Sequence, residues 1–137
     1  MKKTIVYLFF TLLFVNCAGD DSMASIIEEM EDETMTSDSF LMGEFVSDAH
    51  PTSGKAKVNS DKTILTFENF KTDNGPKLLV YLATDTNSTE YINLGDLKGL
   101  EGNFTYSIPA GTDLSTYNIV NIWCVDFSVN FGYAKLK

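Results

Sequence analysis

The chain has 137 residues, is 44% hydrophobic, and carries 19 acidic residues against ten lysines and no arginine, for a net charge of −9. This length fits a single domain. An acidic chain without arginine lacks the basic surface and the bidentate phosphate contacts that nucleic-acid binding relies on, so nucleic-acid binding is excluded.

Residues 1–16 have the features of an export signal. Lys2 and Lys3 form a basic start, and residues 4–15 form an apolar run that is too short to span a bilayer stably. Cys17 follows at once, so the segment resembles a lipoprotein signal peptide and predicts a lipid on Cys17. An ordinary secretory signal, cut at another bond, is the alternative.

Residues 17–38 read as an acidic tether. They carry eight acidic side chains and no basic one, so the segment repels itself and buries little surface. Its Asp20-Asp21 pair resembles the acidic surface-export signal of lipoproteins in the Bacteroidota. We therefore expect an exported protein that is anchored in the outer membrane by its lipid. Its domain would face either the periplasm or the cell surface.

From residue 39 to residue 137 the sequence is typical of an all-β domain. Short apolar or alternating runs are separated by turn residues about every ten positions, which predicts an antiparallel β-sandwich or partly closed barrel of about eight short strands. Residues 78–82 form a continuous apolar run, which indicates a central strand buried on both faces. Further strands are expected around Gly43–Ser47, Gly54–Val58, Thr63–Phe70, Tyr91–Leu94 and Asn103–Ile108.

Bulky and β-branched side chains dominate residues 118–136, and their alternation changes phase after Cys124. This change predicts two strands with a break near residues 126–128. Cys124 shares a face with Ile122, and its neighbours are apolar without a nearby cation. We expect a thiol that is shielded from solvent, on a strand in the interior of a sheet. Trp123 is expected to be a core aromatic residue.

Familiar catalytic motifs are absent from the sequence. Whether the protein is an enzyme therefore stays open, and a redox accessory module is one possibility. One histidine and one available cysteine cannot build a four-ligand zinc site unaided, and no metal site is predicted. His50 and Cys124 could meet in space as a nucleophilic pair, but isolated pairs of this kind arise easily by chance.

Ten short motifs follow one another along residues 43–136. They are Gly43-x-Phe45, His50-x-x-Ser53-Gly54, Asn69-Phe70, Gly75-Pro76, Val80-Tyr81-Leu82, Leu94-Gly95-x-Leu97-Lys98-Gly99, Gly102, Tyr106-x-Ile108-Pro109, Ile122-Trp123-Cys124 and Phe131-Gly132-x-Ala134-x-Leu136. In this order they resemble the DM-thirteen family, also called the predicted electron-transfer DM domain. The resemblance implies an all-β extracellular module, which in bacteria often occurs alone behind a lipoprotein signal.

The resemblance also implies a role for Cys124, which matches the signature cysteine of the family. That cysteine is proposed to act in redox chemistry, either as a bare thiol or as a ligand to a group such as haem. His50 would be the only imidazole available as a second ligand, and Met42 could supply a thioether.

From the residues alone, a small buried hydrophobe is the commoner role for a cysteine such as Cys124, and a surface or loop-anchoring residue is the commoner role for His50; the resemblance brings the redox role of Cys124 level with the structural one. Two functions therefore stay open. The first is an electron-transfer or redox module that acts through Cys124. The second is a passive surface module that binds or adheres to a partner, with Cys124 in its core.

Overall fold

The computed structural model describes residues 41–137. The predicted signal peptide, Cys17 and the acidic tether lie outside the described residues, and their assignments stay predictions. Within residues 41–137 the chain forms eight strands and no helix, and hence no helix that could cross a bilayer. The strands are β1 (Met42–Ser47), β2 (Thr52–Val58), β3 (Ile64–Thr72), β4 (Leu78–Ala83), β5 (Tyr91–Asp96), β6 (Glu101–Ser107), β7 (Ile119–Cys124) and β8 (Val129–Lys135).

All eight strands belong to one antiparallel sheet in the order β5-β4-β7-β8-β1-β2-β3-β6. β1 links the two halves of the sheet, because its first residues pair with β2 and its last residues pair with β8. The edge strands β5 and β6 come into contact, so the sheet nearly closes into a barrel. The predicted all-β fold of about eight antiparallel strands is confirmed.

A side-chain hydrogen bond supports the closure between the two edges. The backbone N–H of Lys98, just after β5, donates to the hydroxyl of Tyr106 on β6 at 3.0 Å. Tyr106 is buried, and burial raises the pKa of its phenol, although the bond from Lys98 opposes this shift. The connection between β5 and β6 is therefore held to the barrel by a protonated core tyrosine.

The middle of the sheet follows the pattern that the sequence predicts. Every residue of β4 is buried, and β4 lies between β5 and β7. Its continuous apolar run is therefore explained by burial on both faces. β7 lies in turn between β4 and β8, so its backbone is paired on both sides.

Aromatic side chains fill the half of the core that lies under β1, β2, β3 and β6. The ring of Phe45 contacts those of Phe67 and Phe70 edge-on, with centroids 4.9 and 5.0 Å apart. The ring of Tyr106 lies 5.0 Å from that of Phe67. Edge-to-face pairs of this kind add about 0.5–1.5 kcal/mol each to the free energy that area burial supplies.

The expectation that Trp123 is a core aromatic residue is wrong. Its side chain is partly exposed and stacks on Tyr81, with ring centroids 6.2 Å apart. Tyr81 stacks in turn on Tyr91 of β5 at 4.0 Å. The physical reason is the alternation of a strand: because Cys124 faces the core, Trp123 must face outward.

Residues 125–128 form the turn between β7 and β8, so the predicted break near residues 126–128 is confirmed. Val125 and Phe127 continue the apolar alternation of the sequence, but both lie in this turn, with exposed fractions of 40% and 68%. Ser128 closes the turn with a φ of 54°.

Candidate functional site

Cys124 is the last residue of β7. It pairs with Leu78 of β4 and with Val129 of β8. Its thiol is free, and its exposed fraction is 0%. The predictions of a shielded thiol and of an interior strand are confirmed.

The alternation of β7 turns Cys124 towards the core. Ile122, two residues earlier, is also fully buried, and both side chains belong to an apolar cluster that includes Phe131 of β8. A cysteine behaves as a small hydrophobe in such a close-packed position. Its position in the core therefore has a purely structural explanation, whatever chemistry the thiol performs.

His50 lies in the connection between β1 and β2. Its ring packs on Phe131 with centroids 3.8 Å apart, and its Nδ1 lies 3.1 Å from the carboxylate of Asp73. The side chains of His50 and Asp73 are 40% and 53% exposed. A polar contact between side chains as exposed as these contributes at most about 1 kcal/mol to stability.

Hydrogen bonds fix the backbone of this connection to β8. The N–H groups of Asp48 and His50 donate to the carbonyl oxygen of Phe131 at 2.9 and 3.1 Å. The buried hydroxyl of Thr52 lies 3.2 Å from the same oxygen and 2.9 Å from the hydroxyl of Thr72. His50 is therefore held in place by β8 and by β3, and not by its own side chain alone.

Phe131 is covered from a third direction, by the connection between β3 and β4. A Cβ atom added to Gly75 would lie 2.9 Å from the ring of Phe131 and 3.0 Å from the side chain of Leu78. A side chain at this position would have to push the ring of Phe131 or the end of Leu78 aside, so glycine favours the close contact. We call Gly75, Leu78 and Phe131 the end cap; its Leu78 is the β4 partner of Cys124.

The structure brings His50 to the strand next to Cys124, but it places Met42 elsewhere. Cys124 pairs with Val129 at the start of β8, whereas the backbone of Met42 pairs with Lys137, beyond the end of β8. Eight positions along the chain separate Val129 from Lys137, or roughly 26 Å at the usual rise of a strand. The thioether of Met42 is therefore far from the thiol.

A haem needs an open slot beside its ligands, whereas the side chain of Cys124 is 0% exposed and packed within the apolar cluster. Four surface cavities of 250, 310, 310 and 360 Å³ lie along residues 41–137, and neither Cys124 nor His50 lines any of these four. Phe131 occupies the position beside the imidazole and shares the core cluster of Cys124. Cys124, His50 and Met42 as arranged here do not fit the ligand set of a haem. Within the same residues, no group of three or more His, Cys, Asp or Glu side chains could hold a metal ion.

Sequence reasoning missed most of the residues that surround Cys124 and His50. Asp73 is 23 positions from His50, and Thr52 acts through a strand partner 20 positions away. No local pattern links such pairs. A usable signal did exist at Gly75, because a glycine can mark either a turn or a close contact, but the sequence alone favoured the turn.

Comparison with known proteins identifies a family. No curated protein and no solved structure matches the chain. The sequence matches the family described as Electron transfer DM13 over residues 44–136, which is more than half of the chain and spans the barrel from the second half of β1 to just beyond the end of β8. The chain therefore belongs to the Electron transfer DM13 family, and electron transfer is the coarse function of its domain.

Proposed function

We propose that the protein transfers electrons at the bacterial cell envelope, that a lipid on Cys17 anchors it in the outer membrane, and that Cys124 is the residue that changes oxidation state. Membership of the electron-transfer family is the observation that carries the proposal. The choice of Cys124 rests on the composition: the chain has two cysteines, and lipidation would leave Cys124 as the only thiol.

A single thiol can exchange electrons with a partner disulfide. The Cys124 thiolate attacks one sulfur of that disulfide, a Cys124–partner disulfide forms, and the second partner sulfur leaves as a thiolate. A further thiol must then attack the mixed disulfide to restore Cys124. Because no second free cysteine would remain in the anchored chain, a partner must supply this thiol as well.

Burial sets the rate of such a reaction. Thiol–disulfide exchange requires an accessible thiolate, and Cys124 is 0% exposed. Exchange must therefore wait for a local opening. Cys124 is well placed for one, since it ends β7 beside the exposed turn 125–128, and the ends of strands open at a lower free energy than their middles.

Equilibration with glutathione tests the proposal. The full chain with Cys17→Ser, in which Cys124 is the only thiol, is incubated in buffers of increasing oxidised-to-reduced glutathione ratio. The proposal predicts a folded protein that slowly and reversibly forms a Cys124–glutathione disulfide, with a defined midpoint. A folded protein that forms no mixed disulfide at any ratio contradicts a redox role for Cys124.

The passive binding module is the second candidate, and the complete burial of Cys124 among apolar side chains favours it. In that case Cys124→Val keeps both fold and function, because an apolar side chain of similar size replaces a core residue. The redox proposal instead predicts that Cys124 of the folded Cys17→Ser chain forms the glutathione disulfide, whereas a core residue of a passive module stays unmodified; the same chain with Cys124→Val, which has no thiol, is the blank in both cases. Mass spectrometry of the two proteins after the same incubation separates the candidates.

A further inference from the structure

Three aromatic side chains stand side by side on the outer face of the barrel, on neighbouring strands. They are Trp123 of β7, Tyr81 of β4 and Tyr91 of β5. The ring centroids of Trp123 and Tyr81 lie 6.2 Å apart, and those of Tyr81 and Tyr91 lie 4.0 Å apart, with planes 23° and 13° from parallel. We call these three residues the aromatic column.

The register of the strands brings the three rings together. Tyr81 pairs with Asn121 of β7 and with Asn93 of β5. Trp123 and Tyr91 each lie two positions from those partners, so both are diagonal neighbours of Tyr81 on the same face, within reach of aromatic side chains. Stacking of this kind stabilises many sheets, so the column indicates a function only if its exposure and its proton contacts fit one.

The aromatic column has a buried centre and two ends that solvent can reach. Tyr81 is 5% exposed, whereas Tyr91 is 50% exposed. Trp123 is partly exposed and borders a cleft of 250 Å³, which lies where the β1–β2 connection, the β4–β5 connection and the start of β8 meet. A partner molecule can therefore approach either end of the column, while the middle ring is shielded from water.

The hydroxyl of Tyr91 provides a place for the proton that Tyr81 releases when it loses an electron. Burial and a side-chain hydrogen bond with Tyr91 raise the pKa of the Tyr81 phenol, so Tyr81 is protonated at neutral pH. An oxidised phenol that kept its proton would leave a positive charge in a buried position, which is costly. Because Tyr91 is half exposed, its hydroxyl can exchange protons with water on behalf of Tyr81.

The chemistry of the three side chains suits the transfer of single electrons. Tryptophan and tyrosine give up one electron to a strong oxidant far more readily than phenylalanine does. The rate of electron transfer falls steeply with distance, so two short steps through an intermediate ring are faster than one long step. A stacked series of one tryptophan and two tyrosines therefore fits the coarse function of the domain, which is electron transfer.

We propose that the aromatic column conducts single electrons from a donor at Tyr91 to an acceptor at Trp123. A one-electron oxidant, such as the oxidised metal centre of a partner protein, takes an electron from Trp123, and the indole N–H releases its proton to water. Tyr81 then gives an electron to the indolyl radical, which takes a proton back from water. The phenol proton of Tyr81 moves to the hydroxyl of Tyr91, which passes one proton on to water.

Two further steps return the column to its starting state. Tyr91 gives an electron and its phenol proton to the Tyr81 radical, so that the radical now lies on the exposed ring. A one-electron reductant from a second partner then reduces Tyr91, which takes a proton from water. One electron has then crossed from the reductant to the oxidant, and all three side chains are as they were.

The column rests on the proposed electron-transfer function, but it does not involve Cys124. The thiol faces the core on the other side of β7, and thiol–disulfide exchange is a two-electron reaction, whereas the rings pass electrons singly. The column is therefore tested in the chain with Cys17→Ser and Cys124→Val, which has no thiol. A failure there leaves the glutathione experiment on Cys124 standing, and the reverse also holds.

Trp123 is the only tryptophan of the chain, so an oxidant that prefers tryptophan starts the reaction at a known place. A radiation pulse in azide solution produces azide radicals, each of which takes one electron from the indole and becomes an azide ion. We expect the absorbance of the indolyl radical to decay while that of a tyrosyl radical rises, at a rate independent of protein concentration. An indolyl radical that never yields a tyrosyl radical, or does so only between molecules, overturns the column.

A matched pair of variants distinguishes the column from other routes to a tyrosine. Tyr81→Phe and Tyr117→Phe each keep a ring and lose a hydroxyl, and Tyr117 lies in the loop before β7, packed against the core cluster. We expect Tyr81→Phe to slow the conversion at least about tenfold, which corresponds to about 1.4 kcal/mol in the activation barrier, and Tyr117→Phe to leave it unchanged. Equal rates in the two variants contradict the column.

Tyr91→Phe tests the exposed end of the column. Without the Tyr91 phenol, the radical should stay on the buried ring of Tyr81, where a water-soluble reductant reaches it with difficulty. We expect ascorbate, added before the pulse, to remove the tyrosyl radical more slowly in this variant than in the thiol-free chain. Removal at the same rate in both proteins contradicts a route that ends at Tyr91.

Discussion

The two faces of β7 differ sharply in their surroundings. Cys124 and Trp123 are adjacent in sequence, yet the thiol is fully buried in the core, and the indole borders a cleft open to solvent. One strand therefore joins two environments that share no side chain. A substitution on one face should leave the chemistry of the other unchanged, and each prediction below tests this separation.

The largest effect is expected on the inner face, from Phe131→Ala. The change removes the ring that packs on His50 and lies 2% exposed in the core, so it should lower the free energy of unfolding by about 3–5 kcal/mol. It should also speed modification of Cys124, because the end cap loses its central side chain. Urea unfolding followed by circular dichroism measures the first effect, and a thiol reagent measures the second.

Tyr91→Ala is the control for that substitution. Tyr91 is an aromatic residue of the outer face and is 50% exposed, so its loss should cost far less and should leave the reactivity of Cys124 as it was. Equal rates of Cys124 modification in the two variants would show that the end cap does not seal the inner face.

A smaller effect on the same face is expected from substitution of Cys124 itself. Cys124→Ser places a hydroxyl in an apolar position and should cost about 1–3 kcal/mol, whereas Cys124→Val nearly conserves volume and should cost less than about 1.5 kcal/mol. Thermal unfolding of the two variants ranks them. A serine variant as stable as the valine variant would indicate polar surroundings that the structure does not contain.

The sequence predicted what strand alternation and turn residues can determine. The number of strands, the buried β4 and the break between β7 and β8 all follow from local patterns. Strand alternation also placed the side chain of Cys124 in the core. The same argument, applied to the neighbouring residue, places the side chain of Trp123 on the outer face. The assignment of Trp123 to the core relied on the usual burial of tryptophan, and the register of the strand outweighed it.

The surroundings of both sites depend on contacts between distant parts of the chain. The end cap combines the connection before β4 with β8, and the cleft combines three segments separated by about 40 residues each. Sequence patterns describe neighbours along the chain, so they could indicate which residues carry chemistry, but not which residues would surround them.

The outer face supplies the next prediction. Trp123→Leu removes the stack on Tyr81 and should cost about 0.5–1.5 kcal/mol, while the reaction rate of Cys124 with a thiol reagent stays unchanged. A change in thiol reactivity in this variant would show that the two faces are coupled.

The smallest effect concerns Asp113, in the loop before β7. Hydrogen bonds from the hydroxyls of Ser115 and Thr116 lower the pKa of its carboxyl from 3.8 to about 2. Because the folded pKa lies below the unfolded one, Asp113 stabilises the fold above about pH 4, and this contribution is lost as the pH falls towards 2. Asp113→Asn should therefore unfold with a weaker pH dependence between pH 4 and pH 2 than the unsubstituted chain, as acid titrations of both proteins can show.

The central claim is that Cys124 is buried and that a local opening exposes it, and its most direct test is the rate at which a small disulfide reagent modifies Cys124 at neutral pH. The rate is measured in the chain with Cys17→Ser, at increasing urea concentrations that stay below the unfolding transition. The account predicts slow modification without urea and a weak increase with urea, because a local opening at the end of β7 exposes little surface. Fast modification without urea would contradict the seal. A urea dependence as steep as that of global unfolding would mean that only unfolding exposes the thiol, and it would contradict the redox role.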